Sequence, residues 1–95
     1  MIQKVEFLKA MFNMKKDMLD LVEFRPMRWG FYDFLEKSGM SRGEYEEFVK
    51  KLYKEELIDI DLCGYKELDH AVIVPKKAAA EYITRANKQP IGFHG

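Results

Sequence analysis

Asp61, Cys63 and His70 are the side chains best suited to hold a metal or sense redox state, provided the segment doubles back and brings carboxylate, thiol and imidazole together. A structural zinc site needs four such ligands at close spacing. The chain has one cysteine, and its second histidine, His94, lies far off near the other end. An isolated cysteine behaves as a small hydrophobe, and a lone strand histidine is ordinarily solvated or hydrogen-bonded. No nucleophile elbow, phosphate loop or paired metal-ligand motif occurs in the sequence. We expect neither an enzyme nor a cofactor.

A second set of polar side chains runs from Ser41 to Lys54, and its chemistry is that of binding. Arg42, Lys50 and Lys54 are cations suited to phosphate or carboxylate, while Glu44, Glu46 and Glu47 are interleaved with them. The local signals place all of them on one helix. Gly39 follows an apolar-periodic run and can take the positive φ of a helix stop. Ser41 stands at an N-cap, and Glu44, three residues on, can reach back to close a capping box. The spacing predicts a helix over 42–56. Its apolar face is Tyr45, Phe48, Val49, Leu52 and Tyr53, and Glu46, Glu47, Lys50 and Lys54 face outward. Acidic residues early and lysines late also suit the helix dipole, so the charges have a purely stabilising reading as well.

The neighbouring elements follow from the same periodicities. Ile58, Ile60 and Leu62 alternate with Asp59 and Asp61, the pattern of a half-buried strand. A short loop from Cys63 to Glu67, containing Gly64, turns it into a second strand over Leu68 to Val74, which Pro75 ends. Upstream, a second helix is expected from Met27 to Ser38, with Phe31, Phe34 and Leu35 inward and Arg25, Arg28 and Trp29 gathered at its start. A fourth helix over 76–88 is marked by Ala78, Tyr82, Ile83 and Ala86, and a flexible tail over 89–95 follows.

The first helix is expected over 3–22 and carries two apolar stripes. Val5, Leu8, Phe12, Leu19 and Val22 form one; Phe7, Met11, Met14, Met18 and Leu21 form the other. A helix that apolar needs two neighbours. The second stripe is therefore a candidate dimer interface, since methionine-rich faces suit adaptable contacts. The plain alternative is that the rest of the domain wraps it.

Ninety-five residues, 47% of them hydrophobic, suit one small globular domain over 1–88 that gains from a partner. No apolar run is long enough to span a membrane, the first residues are too charged for a secretory leader, and a cytoplasmic protein is expected. Sixteen cationic and sixteen anionic residues give zero net charge, unevenly placed. Between 58 and 74, Lys66 stands against Asp59, Asp61, Glu67 and Asp69; between 75 and 95, Lys76, Lys77, Arg85 and Lys88 stand against Glu81. Any cationic patch for nucleic acid must be local.

Helix, helix, tight turn, helix, two-stranded hairpin, helix is an order that resembles the winged helix-turn-helix superfamily of transcriptional regulators. The residues that carry the likeness are GMSRGEYEEFVKKLYKEELIDI, similar to turn, recognition helix and first wing strand, and HAVIVPKKAAAEYITRA, similar to the second wing strand and its following helix. The likeness spans 26–88. It implies an α+β, mostly α fold with a three-helix core, a helix-turn-helix over 27–56, a wing over 57–74 and a C-terminal helix. It also implies a DNA-binding dimer acting in transcription, with Ser41, Arg42, Tyr45, Glu46, Lys50 and Lys54 on the helix that enters a major groove and Tyr65 and Lys66 on the wing tip. Arg42 would pair with guanine or phosphate, Lys50 and Lys54 with the backbone, and Glu46 with cytosine. The competing class is a winged helix used as a protein-interaction module, contacting no nucleic acid.

Overall fold

The computed structural model describes residues 1–12 and 27–88. In chain order they form α1 (Lys4–Met11), β1 (Trp29–Gly30), α2 (Leu35–Ser38), α3 (Arg42–Lys54), β2 (Ile58–Asp61), a 3-10 turn (Leu68–His70), β3 (Val72–Pro75) and α4 (Lys77–Lys88). The strands make one antiparallel sheet of order β1-β3-β2, with Trp29 opposite Ile73 and Ile60 also opposite Ile73 on the other side. Helices α1 and α4 pack together, α1 also lies against β3, and α3 lies against β2 and α2. The result is a small α+β domain.

The expected second helix over 27–38 is the main correction. Residues 29 to 31 give their backbone to the sheet instead: Gly30 pairs with Val72, and the Phe31 amide donates to the Ala71 carbonyl at 3.0 Å. Asp33 then captures the Gly30 amide at 2.7 Å, and a Cβ at Gly30 would sit 2.8 Å from Asp33 Oδ1. Glycine there lets the chain turn tightly into α2, a single helical turn. Glycine is a poor helix former, and aromatic Trp29 and Phe31 suit a strand. The second hairpin strand is also shorter than expected. Leu68–His70 winds into a 3-10 turn, with the Ala71 amide donating to the Leu68 carbonyl at 3.0 Å, and β3 begins only at Val72.

Among the described residues the first helix is Lys4–Met11, with Phe12 as its C-cap. The Trp29 indole donates to the Met11 carbonyl at 2.9 Å, supplying one of the partners a helix end lacks. Met14, Met18, Leu19, Leu21 and Val22, with Arg25 and Pro26, lie outside the described residues, as does the expected tail over 89–95. Phe7 and Met11 are fully buried in the chain's own core. The Phe7 ring meets Phe34, Tyr45 and Phe48 edge-on at centroid distances of 5.3, 6.2 and 5.1 Å. Both therefore offer no surface to a second copy, which corrects their place in the candidate dimer stripe. Lys4 reaches Glu55 at 2.9 Å and lies over the Tyr82 ring.

Tyr45 anchors α3 from beneath. Its ring is fully buried and its hydroxyl donates to the Phe31 carbonyl at 2.6 Å. Burial pushes the phenol up to about 12, against the pull of a hydrogen bond with the Phe34 backbone. A phenol with a folded pKa above its unfolded value contributes its full stability below pH 10 and loses it as pH rises toward 12. Two pKa units correspond to about 2.7 kcal/mol. Urea unfolding at successive pH values should show wild type losing about 2 kcal/mol more than Tyr45→Phe across that window; equal losses would remove Tyr45 as the source.

Candidate nucleic-acid interface

Helix α3 is built from its ends inward. At its N-terminus Ser41 Oγ accepts from the Glu44 amide at 3.2 Å, and Glu44 Oε1 accepts from the Ser41 amide at 2.9 Å, closing the capping box. Those bonds hold the Glu44 carboxyl below the usual carboxylate range. At the other end Glu56 has φ 62, with Leu57 donating to the Leu52 carbonyl and Glu56 to the Tyr53 carbonyl. That pair of bonds is a Schellman motif, here without the glycine that commonly occupies the left-handed position. The helix therefore stops at Lys54, two residues short of the expected end. Tyr45, Val49 and Leu52 point into the core, Phe48 is half-buried, and Tyr53 is exposed rather than inward.

The outward side of α3 is Gly43, Glu47, Lys50 and Lys54, all exposed and recurring at helical spacing. Among the described residues, nothing lies within 4 Å of where a Gly43 Cβ would stand. The flank toward the 3-10 turn Leu68–His70 is organised around Arg42. Its Nη2 donates to Asp69 Oδ1 at 2.6 Å, its Nε faces Glu46 Oε2 at 3.5 Å, and its guanidinium lies 4.2 Å from the centroid of the Tyr32 ring. Tyr32 in turn donates to Glu46 Oε2 at 2.6 Å. Burial pushes the Tyr32 phenol up, and its bond to Glu46 raises it further against the pull of Arg42.

The candidate residues thus divide into three groups. Ser41, Lys50, Lys54, Tyr65 and Lys66 are exposed. Arg42 and Glu46 are exposed or half-exposed and engaged with the chain's own partners. Tyr45 is buried and cannot meet a base edge, which corrects its place among them. Tyr32 was not distinguishable from any other aromatic in its segment, because its role depends on a residue 14 positions away. Nor does any sequence spacing pair Arg42 with Asp69, 27 positions apart.

The turn after β2 is tight. Cys63 (φ 56) and Gly64 (φ 83) are both left-handed, and the Tyr65 amide donates to the Leu62 carbonyl at 2.9 Å, as in the turns that suit hairpins. Asp61 accepts from the Cys63 amide at 2.8 Å and from Arg28 at 3.4 Å; the first of these most strongly lowers its pKa. Tyr65 stacks on His70 at 4.3 Å. Asp61, Cys63 and His70 do not assemble as ligands: among the described residues no group of three or more His, Cys, Asp or Glu could hold a metal ion. None of the described helices is long and apolar enough to cross a membrane. No protein-family model matches the chain, and neither a curated protein nor a solved structure matches it.

Proposed function

We propose that the domain is a winged-helix module that lays the outward stripe of α3 against double-stranded DNA, with the β2–β3 loop as its wing. The order α2, Gly39–Met40 turn, capped α3, β ribbon and α4 supports the winged-helix reading; the single-turn α2 and the added strand β1 are its departures. Its transcriptional role rests on the resemblance alone. The observation that carries the reading is the stripe itself: two exposed lysines, Lys50 and Lys54, in line with a glycine that has open space above it. A glycine within a helix costs roughly 0.5–1 kcal/mol relative to alanine. Among the described residues nothing packs on Gly43, so a small residue there suits close approach of a partner from outside, which in this reading is the duplex.

The engagement of Arg42 and Glu46 alters what such contact can be. With those two paired internally and Tyr45 buried, the free donors are Ser41, Lys50, Lys54 and Lys66, which suit phosphates rather than base edges. Binding should then depend strongly on salt and weakly on sequence. Three lysine–phosphate contacts imply a slope of log affinity against log salt of about −3. Anisotropy of a labelled duplex, titrated with the full chain from low to physiological salt, tests this; no binding at low salt to several unrelated duplexes would reject it.

One observation favours the protein-interaction reading. A shallow cleft of about 520 Å³ beside α3 is walled by Met1, Met40 and Phe48, floored in part by Gly43 and edged by Glu44, Glu47 and Lys51, so it shares Gly43 and Glu47 with the outward stripe. Apolar walls with a charged rim suit a protein segment better than a phosphate backbone. Absence of duplex binding would make this cleft the surface to pursue.

A further inference from the structure

Arg42 stands at the first position of α3, beside the outward stripe, yet an acidic side chain of the wing already holds it. Asp69 Oδ1 takes its Nη2 at 2.6 Å, the shortest ion pair among the described residues. Asp69 is brought there by the 3-10 turn Leu68–His70, which aims its carboxylate across the gap between wing and helix. Both side chains are well exposed, at 58% for Arg42 and 62% for Asp69, so the bond is open to competition from solution. Exposed ion pairs are weak and screened by salt. A phosphate oxygen offers the guanidinium the same charge-assisted bond that a carboxylate does. The centroid of the Tyr32 ring lies 4.2 Å from the guanidinium carbon and Glu46 faces its Nε, so removal of Asp69 frees the Nη2 edge without releasing the whole side chain.

We infer that Asp69 is an internal competitor for Arg42, a carboxylate occupying the place of a nucleic-acid phosphate and thereby holding duplex affinity down. The inference rests on the duplex-binding reading above. It makes the wing autoinhibitory: the loop that would brace a duplex also masks the cation nearest the groove. Binding then requires exchange of one anion for another at Arg42. Such an exchange releases fewer counterions than an unpaired arginine would, because the arginine is already neutralised.

The test compares the full chain with Asp69→Asn, Arg42→Ala and the double variant in salt titrations against one duplex. Asp69→Asn should bind about threefold to tenfold more tightly at low salt, with a salt slope steeper by about one. In the Arg42→Ala background the same substitution should change neither. If Asp69→Asn binds like wild type, or its gain persists without Arg42, the competitor role is overturned while wild-type binding leaves the duplex reading intact. If neither wild type nor Asp69→Asn binds at low salt, both fall together.

Discussion

Phe7→Ala should lower the free energy of unfolding by about 3–5 kcal/mol, enough to remove a large share of a small domain's stability. The reason is position rather than size alone. Phe7 is fully buried where α1 crosses the core, with the rings of Phe34, Tyr45 and Phe48 around it, so truncation opens a cavity between α1, α2 and α3 at once. Met11, one turn on, is equally buried. Denaturant midpoints of wild type and Phe7→Ala measure the effect. A loss below about 1 kcal/mol would mean that the ring is not enclosed by its own subunit and would return it to the surface as a partner contact.

Lys50→Ala with Lys54→Ala should weaken duplex binding by about tenfold at low salt and make the salt slope shallower by about two. Folding should be unchanged, because both side chains are exposed and neither joins the core. Two uniform losses across unrelated duplex sequences would mark these lysines as backbone contacts. If the double variant binds like wild type, the outward stripe of α3 is not the contact surface, whatever else the domain touches.

How much of this was legible in the sequence varies with the range of the forces involved. Helix α3 was readable because its signals are local: the capping pair Ser41 and Glu44 is three residues apart, and both bonds form. Gly39 takes φ 72, the left-handed conformation its place after an apolar run implied. Strand β2 followed from alternation, with Ile58 buried, Ile60 half-buried and Asp59 and Asp61 exposed, but Leu62, expected in the same pattern, is exposed beyond the strand's end. Strand β1 was not readable, since two residues carry no period and become a strand only because β3 has an open edge to pair with. The end of α3 was misplaced for a related reason. Glu56 adopts a left-handed conformation that its residue type does not announce, and Leu57 tucking back to Leu52 enforces it.

The site was legible as a face but not as a network. Periodicity identifies Glu46, Glu47, Lys50 and Lys54 as outward; the last three are exposed, whereas Glu46 is half-buried and bonded to Tyr32. It does not distinguish an arginine free for a ligand from one committed to an aspartate on another element, because exposure and pairing are separate properties. Arg42 is the case in point, held at once by Glu46 on its own helix, Asp69 of the 3-10 turn and Tyr32. Tyr45 shows the opposite error: it belongs to the apolar face by spacing and to the binding set only by likeness to other proteins, and burial decides between them.

Amide shift mapping of the isotope-labelled full chain during titration with a short duplex at low salt tests the central claim most directly. We expect the largest changes at Gly43, Glu47, Lys50 and Lys54, with a second cluster at Tyr65 and Lys66. Changes confined to α1 and α4, or none at saturating duplex, would contradict it.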